Sequence, residues 1–156
     1  MSTRSYIAKK NSDNTYTYSY CHFDGYVDGV GETLNSTYNT DEKIEELLSY
    51  GDMSILGERI HPTDPEHHSF GHEKNEEGKY VPRYEDGVCL FYHRDRGEDD
   101  CFHEPITDLT ELTYDGGVSF VYVWDSGKWY VWGDEYEGEE LTVALNKEAV
   151  KSSTDD

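Results

Sequence analysis

Residues Val118–Gly133, VSFVYVWDSGKWYVWG, decide the fold. Two runs rich in β-branched and aromatic residues flank Ser126-Gly127, a pair suited to a tight hairpin turn because glycine takes positive φ without steric penalty. With the turn there, Trp124 is expected opposite Trp129, Val123 opposite Tyr130, Tyr122 opposite Val131 and Val121 opposite Trp132. Successive side chains point to opposite faces of a strand. One face therefore carries Phe120, Tyr122, Trp124, Trp129 and Val131, the other Val121, Val123, Tyr130 and Trp132. Each cross-strand pair contributes roughly 0.2–1 kcal/mol. Because both faces are apolar, the hairpin belongs in the middle of a sheet, with one side covered and the other open to covering or binding.

Working outward, Thr15–Cys21 (TYTYSYC) alternates strictly, with Tyr16, Tyr18 and Tyr20 on one face. Together with Arg4–Lys9 and the turn cluster Asn11–Asn14 it predicts a second hairpin. Val27, Val30, Leu34 and Tyr38 recur at helical spacing and predict an amphipathic helix over Tyr26–Tyr38, although Gly29 and Gly31 each cost about 1 kcal/mol there. Asn39-Thr40-Asp41-Glu42 reads as the start of another helix, with Ile44, Leu47 and Leu48 inward and Gly51 closing it. From 61 to 83 no period survives, which predicts a long polar loop. Gly87–Tyr92 reads as a buried strand and Ile106–Leu112 as a short connector. Leu141–Val150 reads as a last helix with Leu141, Ala144, Leu145 and Ala149 to one side, and 151–156 as a disordered tail. The sum is a single α+β domain over residues 1–150, a mostly antiparallel four- to five-stranded sheet with two or three helices on one face.

Charge narrows the partners. Thirty-four acids against thirteen bases leave a formal charge of −21 over 156 residues. Such a field opposes direct binding of nucleic acid, which requires Lys and Arg to neutralise phosphates. It opposes anionic membranes as well, and attracts basic proteins. Cys21, Cys89 and Cys101 are odd in number and lack metal-type spacing, so they read as reduced thiols of a cytoplasmic protein. No apolar run approaches membrane-spanning length.

Four clusters merit a chemical reading. His61, His67, His68 and His72 share one loop with Asp64, Glu66 and Glu73, and His68 with His72 is a weak candidate pair for Zn²⁺ or Ni²⁺; the loop lacks the order of a structural metal site and reads as solvated. Cys21, His22 and Asp24 contain the groups of an activated nucleophile, but neighbours on a strand face opposite ways, so Cys21 reads as core and His22–Gly25 as a turn. His93-Arg94-Asp95-Arg96 is the one concentrated basic spot. It reads as an internal ion-pair network, or alternatively as an anion clamp. Carboxylates recur too often for any spacing to identify a general acid or base. No phosphate loop, dinucleotide fingerprint, HExxH or GxSxG occurs, and no cofactor is expected.

The stretch Tyr20–Glu32, YCHFDGYVDGVGE, follows an N-terminal STRSYI and precedes Tyr38-Asn-Thr-Asp-Glu-Lys43 and Gly51-Asp52. With Gly87-Val-Cys89, Tyr92–Glu98 (YHRDRGE) and the aromatic hairpin ending GKWYVWG, it resembles a group of small acidic proteins of phages and prophages. The similarity covers most of 2–60 and 87–133; the loop 61–83 and the acidic C-terminal region do not match, and Phe23 stands where the group carries Trp. The resemblance implies an accessory protein acting inside a bacterium, and no mechanism.

Two functional expectations follow. The first is a non-catalytic accessory or inhibitor protein that binds a host defence or nucleic-acid-binding protein through an acidic, DNA-mimicking surface. Its residues would be Asp41, Glu42, Glu45, Glu46, Glu98, Asp99, Asp100, Asp134, Glu135, Glu137, Glu139 and Glu140. The second is a protein that sequesters or cleaves a nucleotide signal, stacking the base on Tyr122, Trp124, Trp129, Tyr130 and Trp132 and holding phosphate with Arg94 and Arg96. A pocket joining those groups would distinguish the second from the first.

Overall fold

A computed structural model describes residues 2–154. The chain opens with β1 (Ser5–Lys10) and β2 (Tyr16–Cys21), then passes through a turn of π-helix (Val27–Gly31) into α1 (Glu32–Thr37), α2 (Asp41–Ser49) and β3 (Met53–Ile55). A small separate hairpin follows, β4 (His72–Lys74) and β5 (Tyr80–Pro82), and after it β6 (Leu90–Phe91), α3 (Tyr92–Arg96) and α4 (Thr110–Thr113). The last part is β7 (Phe120–Asp125), β8 (Lys128–Gly133), β9 (Tyr136–Glu140) and α5 (Leu141–Thr154).

The fold is α+β, built on a seven-stranded sheet in the order β6-β3-β2-β1-β7-β8-β9. The hairpin pairs are antiparallel, whereas β1 with β7 and β2 with β3 run parallel. The expected sheet of four to five mostly antiparallel strands is corrected to seven strands in a mixed sheet. The additional strands leave little trace in sequence: β3 and β6 are three and two residues long, too short to alternate, and β9 is YEGEE, whose glycine and acids are poor strand formers.

The β7–β8 hairpin has the register read from sequence, Trp124 opposite Trp129 through Val121 opposite Trp132. Ser126 and Gly127 both take positive φ, 52° and 84°, the combination that matches strand twist in a two-residue turn. On one face of the sheet, Ile7, Cys21, Tyr122 and Val131 lie under Val27, Val30, Leu34, Ile44, Leu47, Leu141 and Ala144. On the other, Ala8, Val121 and Val123 pack with Leu112 and the flanking Tyr6, Tyr18, Ile106, Leu109 and Trp132. Thus α1, α2 and α5 cover one face, and the segment holding α4 straps the opposite one.

The cap of α2 is Thr40, within the expected start at 39–42: its hydroxyl accepts from the Lys43 amide at 3.3 Å. Gly51, at φ 82°, ends the helix and lies so close to the Cys101 carbonyl that a Cβ would come within 2.5 Å of it. The stretch 61–83 is not structureless. It contains a 3₁₀ turn at Pro65–His67 and the β4–β5 hairpin, which shows no apolar alternation because neither of its faces is buried. Helix α5 continues through Thr154, beyond the expected limit at Val150, and Ala149 is exposed rather than inward. Asp155 and Asp156 of the expected tail lie outside the described residues.

Candidate functional site

The acids are placed by three different elements. In α2 the inward stripe of Ile44, Leu47 and Leu48 forces Asp41, Glu42, Glu45 and Glu46 onto the solvent side. Asp41 accepts a hydrogen bond from Trp124 Nε1 at 2.6 Å, and Glu45 lies 3.6 Å from Lys9 Nζ. Glu98, Asp99 and Asp100 follow α3 beside β6, at one end of the strand order. Asp134, Glu135, Glu137, Glu139 and Glu140 lie on and before β9, at the other end. Several of these have cationic neighbours: Glu98 pairs with Arg96, Glu135 with Lys151, Glu139 with Lys147 at 2.7 Å, and Glu140 with Lys128 at 3.6 Å. Six strand spacings of about 4.8 Å separate the two margins. The latter two groups thus stand at opposite margins of the sheet, and α2 lies over its middle strands β1 and β2.

Arg94 and Arg96 serve the fold. Arg94 donates from Nη1 to the Ile60 carbonyl at 2.7 Å and from Nη2 to the Cys89 carbonyl at 3.0 Å, and its Nε meets Asp95 at 2.9 Å. Asp95 also accepts from the Phe91 amide at 2.8 Å. His68, one of the metal candidates, is buried in the same network. Its Nε2 donates to the Cys89 carbonyl at 2.9 Å and its Nδ1 accepts from the Glu85 amide at 3.0 Å, so both ring nitrogens are occupied. His67 bonds Asp64 at 2.8 Å, His72 sits on β4, and His61 bonds Glu46 at 3.1 Å. Among the described residues no group of three or more His, Cys, Asp or Glu is placed to hold a metal ion. Arg96 lies over the rings of Phe70 and Tyr92, 4.5 and 5.1 Å from their centroids.

The aromatic half of the nucleotide expectation is elsewhere. Tyr122, Trp124 and Trp129 are buried under the helices. The Trp129 indole donates to the Tyr38 carbonyl at 2.8 Å and the Tyr122 hydroxyl to the Gly25 carbonyl at 2.6 Å. Tyr130 and Trp132 point to the opposite face, half-buried. From β6, beside the two arginines, to β7 is four strand spacings, about 19 Å. The structure does not bring the arginines and the tryptophans to one pocket.

The cysteines are core groups. Burial pushes the Cys21 thiol up from 9.0 to about 12, with Cys89 nearby adding to it, and burial raises Cys89 as well. An unfolded Cys21 ionises near pH 9 while the folded one keeps its proton. Its contribution to stability is therefore complete below about pH 9 and is lost as pH rises toward about 12. Alkaline denaturation followed by circular dichroism should show Cys21→Ala losing less stability over that window than the parent chain.

Sequence reading missed one cluster. Asp52 accepts from the Tyr20 amide at 2.8 Å and holds His103 Nε2 at 2.9 Å from both carboxylate oxygens. The His103 ring stacks on Tyr18 at 4.8 Å. The Tyr alternation of β2 was legible, but nothing local marks His103, more than eighty positions away, as its partner. This clamp ties the strap carrying α4 to the sheet. No helix among the described residues is long and apolar enough to cross a membrane. No protein-family model, curated protein or solved structure matches the chain.

Proposed function

We propose that the chain is a non-catalytic accessory protein, of the phage kind its sequence resembles, that binds a basic protein of a bacterial host. The observation that supports this reading is the solvent face of α2, where Asp41, Glu42, Glu45 and Glu46 stand exposed on a helix whose other side is locked into the core. The face is held on a helix packed into the core, and within a chain of charge −21 it steers a cationic surface toward it. A host protein that binds nucleic acid presents such a surface, which is what connects the acidic face to imitation of a polyanion. The distance between the groups at the two sheet margins favours α2 as the principal contact over a single array running from Glu98 to Glu140.

A tagged chain incubated with bacterial lysate should retain a basic protein at low salt and release it at high salt. Reversing Glu42, Glu45 and Glu46 together to lysine should slow association by about ten- to a hundredfold. Retention that ignores both salt and the reversal would overturn the reading.

A further inference from the structure

The stretch His22–Glu32 builds a small pocket that neither the core nor the α2 face uses. Phe23 and Tyr26 are 41% and 42% exposed, two large rings left in solvent side by side on one turn. They line a cavity of about 230 Å³ together with Leu56 and the acids Asp24, Asp28 and Glu32. No lysine or arginine lines it.

The backbone is committed to this shape. Asp24 takes φ 58°, a conformation side chains other than glycine rarely adopt. Its carbonyl accepts from the Val30 amide at 2.8 Å, closing the π-helical turn back on the loop. A Cβ on Gly29 would lie 2.4 Å from that carbonyl and 2.7 Å from the Tyr26 ring, so glycine is what lets the ring lie against the turn. The Tyr26 hydroxyl donates to Asp24 at 3.1 Å and fixes the ring plane. Backbone strain and irregular helical turns concentrate at ligand clamps and functional sites.

We infer that this pocket receives one arginine or lysine side chain of a protein partner, its aliphatic stem between Phe23 and Leu56 and its cation over Tyr26, within reach of Asp24, Asp28 and Glu32. The inference rests on the reading of a basic partner and names one anchor of that contact. Aromatic faces attract cations through their quadrupole, and carboxylates placed around them exclude anions and favour a cationic tip. Interfaces draw much of their energy from such aromatic and arginine anchors.

The test uses the full chain and a small probe, N-acetyl-arginine amide, with N-acetyl-citrulline amide as its uncharged counterpart. The arginine probe should produce saturable NMR shifts concentrated on Phe23, Tyr26, Asp28 and Gly29, with a millimolar Kd, and the citrulline probe should not. Tyr26→Leu should weaken the probe by roughly two- to fivefold, the range of an exposed cation–π contact. Asp28→Asn, a nearly isosteric change on an exposed residue, should weaken it without altering the remaining spectrum. Equal shifts from the citrulline probe, shifts of the same size on α2, or no effect of Tyr26→Leu would overturn the assignment. If the probe fails to seat while a salt-sensitive basic partner is still captured, the pocket is wrong and the basic-partner reading stands. If the probe seats but no basic partner is captured, the pocket stands as a cation site and the functional reading falls.

Discussion

Asp95→Ala should unfold in urea well below the midpoint of the parent chain, a loss of about 3–5 kcal/mol. Asp95 is almost completely buried and accepts from the Phe91 amide and from Arg94 Nε and Nη2. Removing it takes the carboxylate from a partly buried guanidinium and the acceptor from an amide. The cost of a charge left in such a site without its partner exceeds what the intact pair contributes. His68, 3.6 Å from Asp95, and the Arg94 bonds to Ile60 and Cys89 belong to the same network. Asp95→Ala combined with Arg94→Met should therefore recover part of the loss, because the stranded charge leaves with its partner. A double variant as unstable as the sum of the two single ones would show that the groups act independently.

Trp129→Ala should cost a similar amount, about 3–5 kcal/mol, by removing a large side chain from a site too well packed to collapse around the space. Trp129 is 3% exposed, packs edge-on to Trp124 at 5.4 Å, and donates to the Tyr38 carbonyl. Trp129→Phe keeps a ring and removes the donor, leaving a buried carbonyl short of one bond; it should cost about 1–3 kcal/mol. Urea titration monitored by far-ultraviolet circular dichroism separates the two variants without relying on tryptophan emission. Equal midpoints for the alanine variant and the parent would mean that the ring is dispensable to the core.

Where local chemistry sets the structure, the sequence was legible. The β7–β8 register follows from Ser126-Gly127 and the alternation around it, and the helical spacing of Val27, Val30, Leu34 and Tyr38 identifies four residues that are all buried. The inward stripe of α2 was equally readable. What escaped was set by distant partners. The strands β3 and β6 exist because Met53 finds Cys21 on one side and Phe91 on the other, and neither strand has length enough to declare itself. The β4–β5 hairpin is held by backbone pairing with exposed faces, so no apolar period reports it. Arg94 was legible as an ion-pairing residue from Asp95 next to it, but His68, whose ring completes that network, resembled a loop histidine. The exposed Phe23 and Tyr26 lay inside a stretch already notable by resemblance. Their solvent position came only with the turn that Gly29 permits.

The parallel pairing of β1 with β7 also governs when the protein can fold. Ser5 pairs with Phe120 and Lys9 with Trp124, so the middle of the sheet is closed by segments synthesised far apart in time. Until β7 emerges from the ribosome, one edge of the first hairpin has no neighbour. Long-range strand pairings delay folding because their loop-closure entropy comes before their contacts. The nascent chain thus carries the unpaired edge of β1 until β7 is made, the kind of edge that seeds misassociation. Repulsion between chains this acidic works against that association while the edge is open. The excess of acids thus acts, early in the protein's life, to keep unfinished molecules apart.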